Sequence, residues 1–397
     1  MSKSSQIQIP IKPFALFIKA ASKWLAENTE VKTGLELRLA AEGPDLHVSV
    51  GANSSYLEAL LVADVSLLTE PIFLDMSYLS NYPFDSEPLI LIKPEVGRNT
   101  ENKDKRAQFK APSQNFRIPI RSGDAWERNH QDLEQFKETQ GFFLTQELMS
   151  EVYPNLDLPD SFGQKKKVPQ RVAFEKLEGN QFQAYSEDDF GALWHKFKSD
   201  DFQSLNDFQK IVVMYDFFIP YAQVPGYTGI ILKQSNRLTI GELKINKGGF
   251  KRFRWMQPNH TKTMGNIPVD ATKVREKVST CLTFDADDFT KKVEQAIIFY
   301  RGEKELQDMP LEFSIIQDSY TLSARLQSSE MQIEGKTKEP VPSPLRINFQ
   351  AACLRDYLKC LKKKETLHME IFPQSVILYQ QKENQSLLYW MPTRSTR

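Results

Sequence analysis

TFDADDFTKKVEQAIIFY (283–300), followed by RINFQAACLRDYLKCLKKKETLHMEIF (346–372), decides how this chain folds. In the first stretch Phe289, Val293 and Ala296 recur at i, i+4 and i+7, the spacing of one helix face. In the second, Ile347 and Phe349 alternate as on a strand, and Leu354 comes seven residues after Ile347, so a strand runs into a helix. Both patterns return upstream. PFALFIKAA (13–21) repeats the first with Phe14, Ile18 and Ala21. IFLDMSYL (72–79) repeats the second with Ile72, Leu74 and Leu79, and VVMYDFFI (212–219) with Val212, Met214 and Ile219. Five matches in order along one chain predict internal repetition.

The segments between them read as strands. LELRLA, LHVSV, VAFEKL, GIILK, RLTIGELKI, LEFSII, TLSARL, LHMEIF and SVILY are short, alternating and rich in branched or aromatic residues. Single helices set among several strands predict an α+β fold with repeated units rather than a βαβ sheet. Polar stretches break the chain. RSGDAWERNHQDLEQFKETQ (121–140) reads as an interdomain linker, and PNHTKTMGNIPVDATK (258–273) separates a middle block from a last one. Three blocks follow, at 1–125, 140–275 and 280–397, in keeping with a length of 397 residues. The apolar run near the end of the chain, in LLYWMPTRSTR (387–397), reads as a final strand, SLLYW, and a short basic tail.

Charge is balanced, with 51 Lys and Arg against 51 Asp and Glu, so no global field draws in nucleic acid. Any such role must come from local segregation. Three helices supply it. Lys12, Lys19 and Lys23 lie opposite the stripe of Phe14, Phe17, Ile18, Ala21 and Leu25. Lys291 and Lys292 lie opposite Phe289, Val293 and Ala296. Arg355, Lys359 and Lys362 lie opposite Leu354, Tyr357, Leu358 and Leu361. Lys165, Lys166 and Lys167 add a basic loop. Basic helix backs suit phosphate contact without base readout, and they equally suit plain solvation.

The three cysteines (281, 353 and 360) form neither a disulfide framework nor a zinc pattern, which fits a reducing cytoplasm. There is no apolar run of membrane-spanning length and no signal-peptide stretch at the N-terminus. HExxH, Walker, G-x-S-x-G and GxGxxG motifs are absent, and the five histidines show no metal spacing, so neither an enzyme nor a cofactor or metal is expected. The acid pairs Asp188–Asp189 and Asp287–Asp288 read as loop and helix-start carboxylates.

The last block resembles the third domain of the bacterial replicative sliding clamps, the β subunits of DNA polymerase III, segment by segment through SLLYWMPTR. The middle block keeps a fainter likeness in GGFKRFRWMQP (248–258), and the first matches in outline. The resemblance implies three similar domains, each of two strand-helix-strands units. It implies a head-to-tail homodimer ring with sheets outside and helices lining the hole. Double-stranded DNA would pass through, bound without sequence preference. A loader ATPase would open the ring, and polymerase and other clients would dock by short peptides. The client pocket would take Trp255, Met256, Tyr389, Met391, Pro392 and Arg394, with Pro169, Phe190 and Ala192. The dimer interface would take Phe116 and Ile118 on one side and Ile298 and Phe299 on the other. Ordinary core or strand packing is the alternative for Tyr389 and for both interface pairs.

The chain also departs from that pattern. A Gly-His-Arg is lost in EDDFGAL (187–193), Lys251 and Arg252 replace a Pro-Asp, Thr393 replaces a methionine, and Pro220 falls inside an expected helix. Two rival readings therefore stand beside the clamp. One is a clamp relative that does not close a ring and acts as an adaptor or competitor. The other is a metal-dependent DNA-processing enzyme using Asp188 and Asp189.

Overall fold

The computed structural model describes residues 6–28, 35–52, 55–65, 67–80, 84, 89–92, 106–111, 114–124, 126, 141–153, 171–177, 181–187, 192–198, 203–205, 210–235, 238–245, 249–259, 280–300, 309–327, 329–359, 361, 364–372, 375–382 and 385–392. They are mostly strands, with a few helices: α1 (Ile11–Asn28), α2 (Ser77–Ser80), α3 (Gln146–Val152), α4 (Ile219–Gln223), α5 (Ala286–Ile298) and α6 (Ala351–Lys359). Each helix follows one lead strand and precedes three more, except that a short fourth strand, Gln203–Leu205, closes the third repeat. The lead strands are Gln6–Ile9, Ile72–Asp75, Gly141–Thr145, Lys210–Met214, Thr280–Asp285 and Leu345–Gln350.

One buried triad recurs in every repeat: two alternate residues of the lead strand, then a residue of the helical segment that follows. The triads are Ile7, Ile9 and Phe14; Ile72, Leu74 and Leu79; Phe142, Leu144 and Met149; Ile211, Val213 and Phe218; Leu282, Phe284 and Phe289; and Ile347, Phe349 and Leu354. All have the spacing apolar, +2, +7. The helix-start pattern at Phe14 and Phe289 is thus the same repeat seen from its helix. In the fourth repeat the sequence reading slipped by one residue. Val212 and Ile219 are only half-buried, whereas Ile211 and Val213 face the core. A one-residue slip on a strand moves every side chain to the other face. Pro220 causes no break. A 3-10 turn, Tyr215–Phe218, precedes α4, and the proline sits in its first turn, where no backbone N–H is required.

Repeats interlock by exchanging lead strands. Gln6–Ile9 pairs with Leu89–Ile92 of the second repeat, while Ile72–Asp75 pairs with Glu36–Glu42 of the first. Thr280–Asp285 and Leu345–Gln350 do the same, pairing with Thr366–Ile371 and Pro310–Ile316. Gly141–Thr145 pairs with Tyr227–Gln234.

The chain forms two compact units, Met1–Met149 with Asp201–His260, and Ser150–Asp200 with Thr261–Arg397. In the first, a sheet runs unbroken through Ile72–Asp75, Glu36–Glu42, Asp45–Ala52, Ser55–Leu61, Phe250–Pro258, Leu238–Ile245, Tyr227–Gln234, Gly141–Thr145 and Gln203–Leu205. Its inner face carries Leu37, Val48, Val50, Leu57, Phe253 and Trp255, all fully buried. α1 lies on the helix side of this unit, where Phe17 meets Phe253 edge-on at 6.2 Å. In the second unit Gln385–Pro392 is an inner strand, flanked by Ala192–Lys198 and Ser375–Lys382. The terminal apolar run is therefore held by ladders on both sides. The core of that unit centres on Phe284, Phe289, Phe313 and Tyr320, with α5 packed on α6. Among the described residues no helix is long and apolar enough to cross a membrane.

Candidate nucleic-acid interface

α1 separates its faces as its sequence requires. Phe14, Phe17, Ile18, Ala21 and Leu25 are buried, and Lys12, Lys19 and Lys23 are exposed. None of these three lysines has an ion-pair partner among the described residues. α2 packs beside α1, with Ser22 Oγ 3.0 Å from Ser80 Oγ, and exposes Tyr78. Tyr78 is an exposed aromatic that the sequence reading did not single out. An aromatic on a four-residue helix leaves no periodic signal that separates it from a core residue.

α5 is more balanced than its lysines suggest. Asp285 caps it by accepting from Asp288 N at 2.9 Å. Lys291 then pairs with Asp287 at 2.5 Å and Lys292 with Asp288 at 2.6 Å. The hydrogen bond and charge of Asp287 hold the Lys291 ammonium above its ordinary pKa. These acids were read as helix-start carboxylates, which they are; they also cancel much of the local positive field. On α6 Arg355 is half-buried and Lys359 exposed. Lys165, Lys166, Lys167 and Lys362 lie outside the described residues, as do Asp188, Asp189, Pro169, Phe190 and Arg394.

The expected client-pocket residues that the structure describes fall on three strands, Phe250–Pro258 in the first unit and Ala192–Lys198 and Gln385–Pro392 in the second. Trp255 and Met256 are neighbours on Phe250–Pro258 and so point to opposite faces. Trp255 lies inward with no exposed surface, 5.5 Å from Phe217. Met256 lies outward, in a small cluster with Tyr56, Trp126, Leu238 and Ile240. In the second unit Ala192 is in register with Trp390, Tyr389 with Leu193 and Leu378, Met391 with Val376, and Pro392 with Ser375.

Of the expected interface residues, Phe116 and Ile118 lie on Gln114–Pro119, the outermost strand of the four-stranded sheet of the first unit. Ile118 is buried, and Phe116 stacks on Phe109 at 5.1 Å. Ile298, at the end of α5, is 46% exposed, whereas Phe299 packs partly against the core. The other four-stranded sheet leaves Ser329–Lys336 as an outer strand. Among the described residues no group of His, Cys, Asp and Glu could hold a metal ion.

No protein-family model and no curated protein matches the chain. Solved structures do. The DNA polymerase sliding clamp of Caulobacter crescentus superposes with a TM-score of 0.75 at 13% identity, covering 99% of this chain and 100% of the other. The sliding clamp of Bacillus subtilis gives 0.75 at 10% identity, with 100% of both chains covered. The DNA polymerase III β subunit of Thermotoga maritima gives 0.71 at 14% identity, covering 98% and 100%. The chain has the α+β fold of the bacterial sliding clamps over its whole length, with a sequence far diverged from theirs.

Proposed function

We propose that the chain is a DNA sliding clamp, a non-enzymatic processivity factor that encircles duplex DNA and tethers a polymerase to it. Two copies join head to tail, each built of three domains near 1–125, 140–275 and 280–397, and a loader ATPase opens the ring in the cytoplasm. The observation that carries the reading is the full-length likeness to clamps at both ends of the alignment. The interlocked pairs of repeats and the exposed lysine face of α1 support it. Among the described residues Gln114–Pro119 and Ser329–Lys336 each end a four-stranded sheet, and a second copy can extend each sheet at that edge. Clients dock by short apolar peptides near Met391, Pro392 and Arg394, with Ala192, Pro169 and Phe190.

Particle size and shape test this directly. Light scattering at micromolar concentration is expected to give a dimer, and electron microscopy a ring with a central hole. A monomer throughout that range overturns the ring and leaves the adaptor reading, which shares the fold.

The lysine face makes a separate claim. Reversing Lys19 and Lys23 to Glu is expected to shorten the time a loaded clamp stays on nicked circular DNA several-fold. The salt dependence should flatten by about one unit of log–log slope per lost phosphate contact. Melting temperature should hold, because both side chains are exposed. Unchanged retention and slope would remove α1 from the DNA surface.

A further inference from the structure

The stretch following Gln114–Pro119 does not leave the first unit at once. It straps across the outer face of the long sheet. Ile120 bridges Leu74 on the outermost strand, and Arg121 N donates to Phe73 O at 2.8 Å. The Arg121 guanidinium also binds the Asp75 carboxylate. Gly123, at φ +91°, lies so close to the Phe73 ring that a Cβ would stand 2.7 Å from it. Trp126 then enters a site with specific features for an indole. Its ring N–H donates to Ser49 Oγ at 2.9 Å, and its backbone N–H donates to the buried Glu36 carboxylate at 3.3 Å. The Arg38 guanidinium lies 4.5 Å from the ring centroid. Tyr56 and Phe73 wall the ring at 6.4 and 5.9 Å, and Leu238, Ile240 and Met256 complete the apolar cluster. Trp126 ends 7% exposed.

We propose that this is a binding site for an indole carried on an extended peptide, and that the chain fills it with its own Trp126 as a tethered ligand. Three observations point to recognition rather than passive cover. The polar atom of the indole has an acceptor in Ser49 Oγ, the ring has a cation beside it, and the approaching backbone is fixed at Ile120, Arg121 and Trp126 itself. The site also joins parts of the chain far apart in sequence. Arg38, Ser49 and Tyr56 come from the first repeat, and Leu238, Ile240 and Met256 from the fourth. A bound Trp126 therefore latches the seam where Ser55–Leu61 pairs with Phe250–Pro258. The short tether gives it a high effective concentration, so an outside tryptophan peptide competes only when the strap is lifted.

The test uses the full chain with Trp126→Ala and N-acetyl-tryptophanamide as the probe. The variant is expected to melt about 5 °C or more below the parent. Millimolar probe should restore part of that loss in the variant and leave the parent unmoved. Hydrogen exchange at 55–61 and 250–258 should quicken without the probe and slow with it. A folded W126A that melts like the parent, or that gains nothing from the probe, overturns the proposal. If W126A does not fold, Gly123→Val serves instead, because it lifts the strap while leaving Trp126 and the pocket walls in place. Its tryptophan fluorescence should become more open to acrylamide, and the probe should stabilise it. Quenching equal to the parent's, or no stabilisation by the probe, overturns the proposal in that variant.

Discussion

Gly241→Val is expected to destabilise the protein by about 3 kcal/mol or more, although it adds only apolar atoms to an apolar core. The reason is Trp255. A Cβ at position 241 would stand 2.3 Å from Cε2 and Cζ2 of the Trp255 ring, which lies flat across the glycine on the neighbouring strand. The ring cannot move aside. It has no exposed surface, and Phe217 and Phe253 hold it at 5.5 and 6.2 Å. Packing at this density tolerates no extra methyl group without displacing a neighbour. Urea unfolding of G241V, W255L and the double variant checks the cause. Each single change should lower stability, and the double should lose at least about 1 kcal/mol less than the sum, because the leucine vacates the space the valine needs. Full additivity would refute the contact as the cause. Trp255→Phe should be milder than W255L, because the indole N–H has no hydrogen-bond partner among the described residues and its removal leaves nothing orphaned.

Trp255 also marks where the sequence could and could not be read. The repeat was legible because it rests on local periodicity: alternate apolar residues on a short strand, then a helix face. That signal fixed Ile72, Leu74 and Leu79, and Ile347, Phe349 and Leu354, without any tertiary knowledge. It slipped at Val212 because the run from Ile211 to Met214 is apolar on both faces, so alternation cannot choose a register. Lead-strand exchange was not legible, because partner choice between distant strands depends on backbone pairing that leaves no local pattern. Single side chains were the least readable. Trp255 and Met256 are adjacent and both apolar, yet one fills the core against Gly241 and the other faces outward towards Trp126. Trp126 stood in a stretch whose charge density spelled linker, and one aromatic among polar residues carries no period. Asp287 and Asp288 were assigned to the helix start from their position. Their second role, pairing with Lys291 and Lys292, follows from i, i+4 spacing and was open to inspection.

Glu58→Gln is expected to cost about 3–5 kcal/mol. Glu58 sits at the seam of the long sheet with 3% of its surface exposed. A row of paired positions, Arg38, Ser49, Glu58, Arg254 and Glu242, crosses five strands there. The Glu58 carboxylate accepts from Arg254 at 2.7 Å, from Arg252 Nε at 3.1 Å and from His47 Nε2 at 3.0 Å. Arg38 lies 3.1 Å from His47 Nδ1 and has only donors to offer, so the imidazole proton resides on Nε2 and is donated to Glu58. Burial alone would push the Glu58 pKa up. The hydrogen bond from His47 and the charges of Arg254 and Arg252 outweigh it and hold the group at about 2, against an ordinary 4.5. A glutamine keeps the shape but leaves two guanidinium groups facing a neutral amide. Arg252 retains Glu42 at 2.6 Å; Arg254 loses its buried counter-charge. The same carboxylate sets an acid limit. Its folded-state pKa is depressed, so its contribution is complete above the unfolded value of 4.5 and disappears as pH falls through 4.5 towards 2. That loss amounts to about 3 kcal/mol at the low end, from the size of the shift. Melting curves of wild type and E58Q between pH 7 and pH 2.5 should therefore converge on acidification. A constant gap across that range would show that the carboxylate is not ionised in the folded protein, and the seam would have to be held by packing alone.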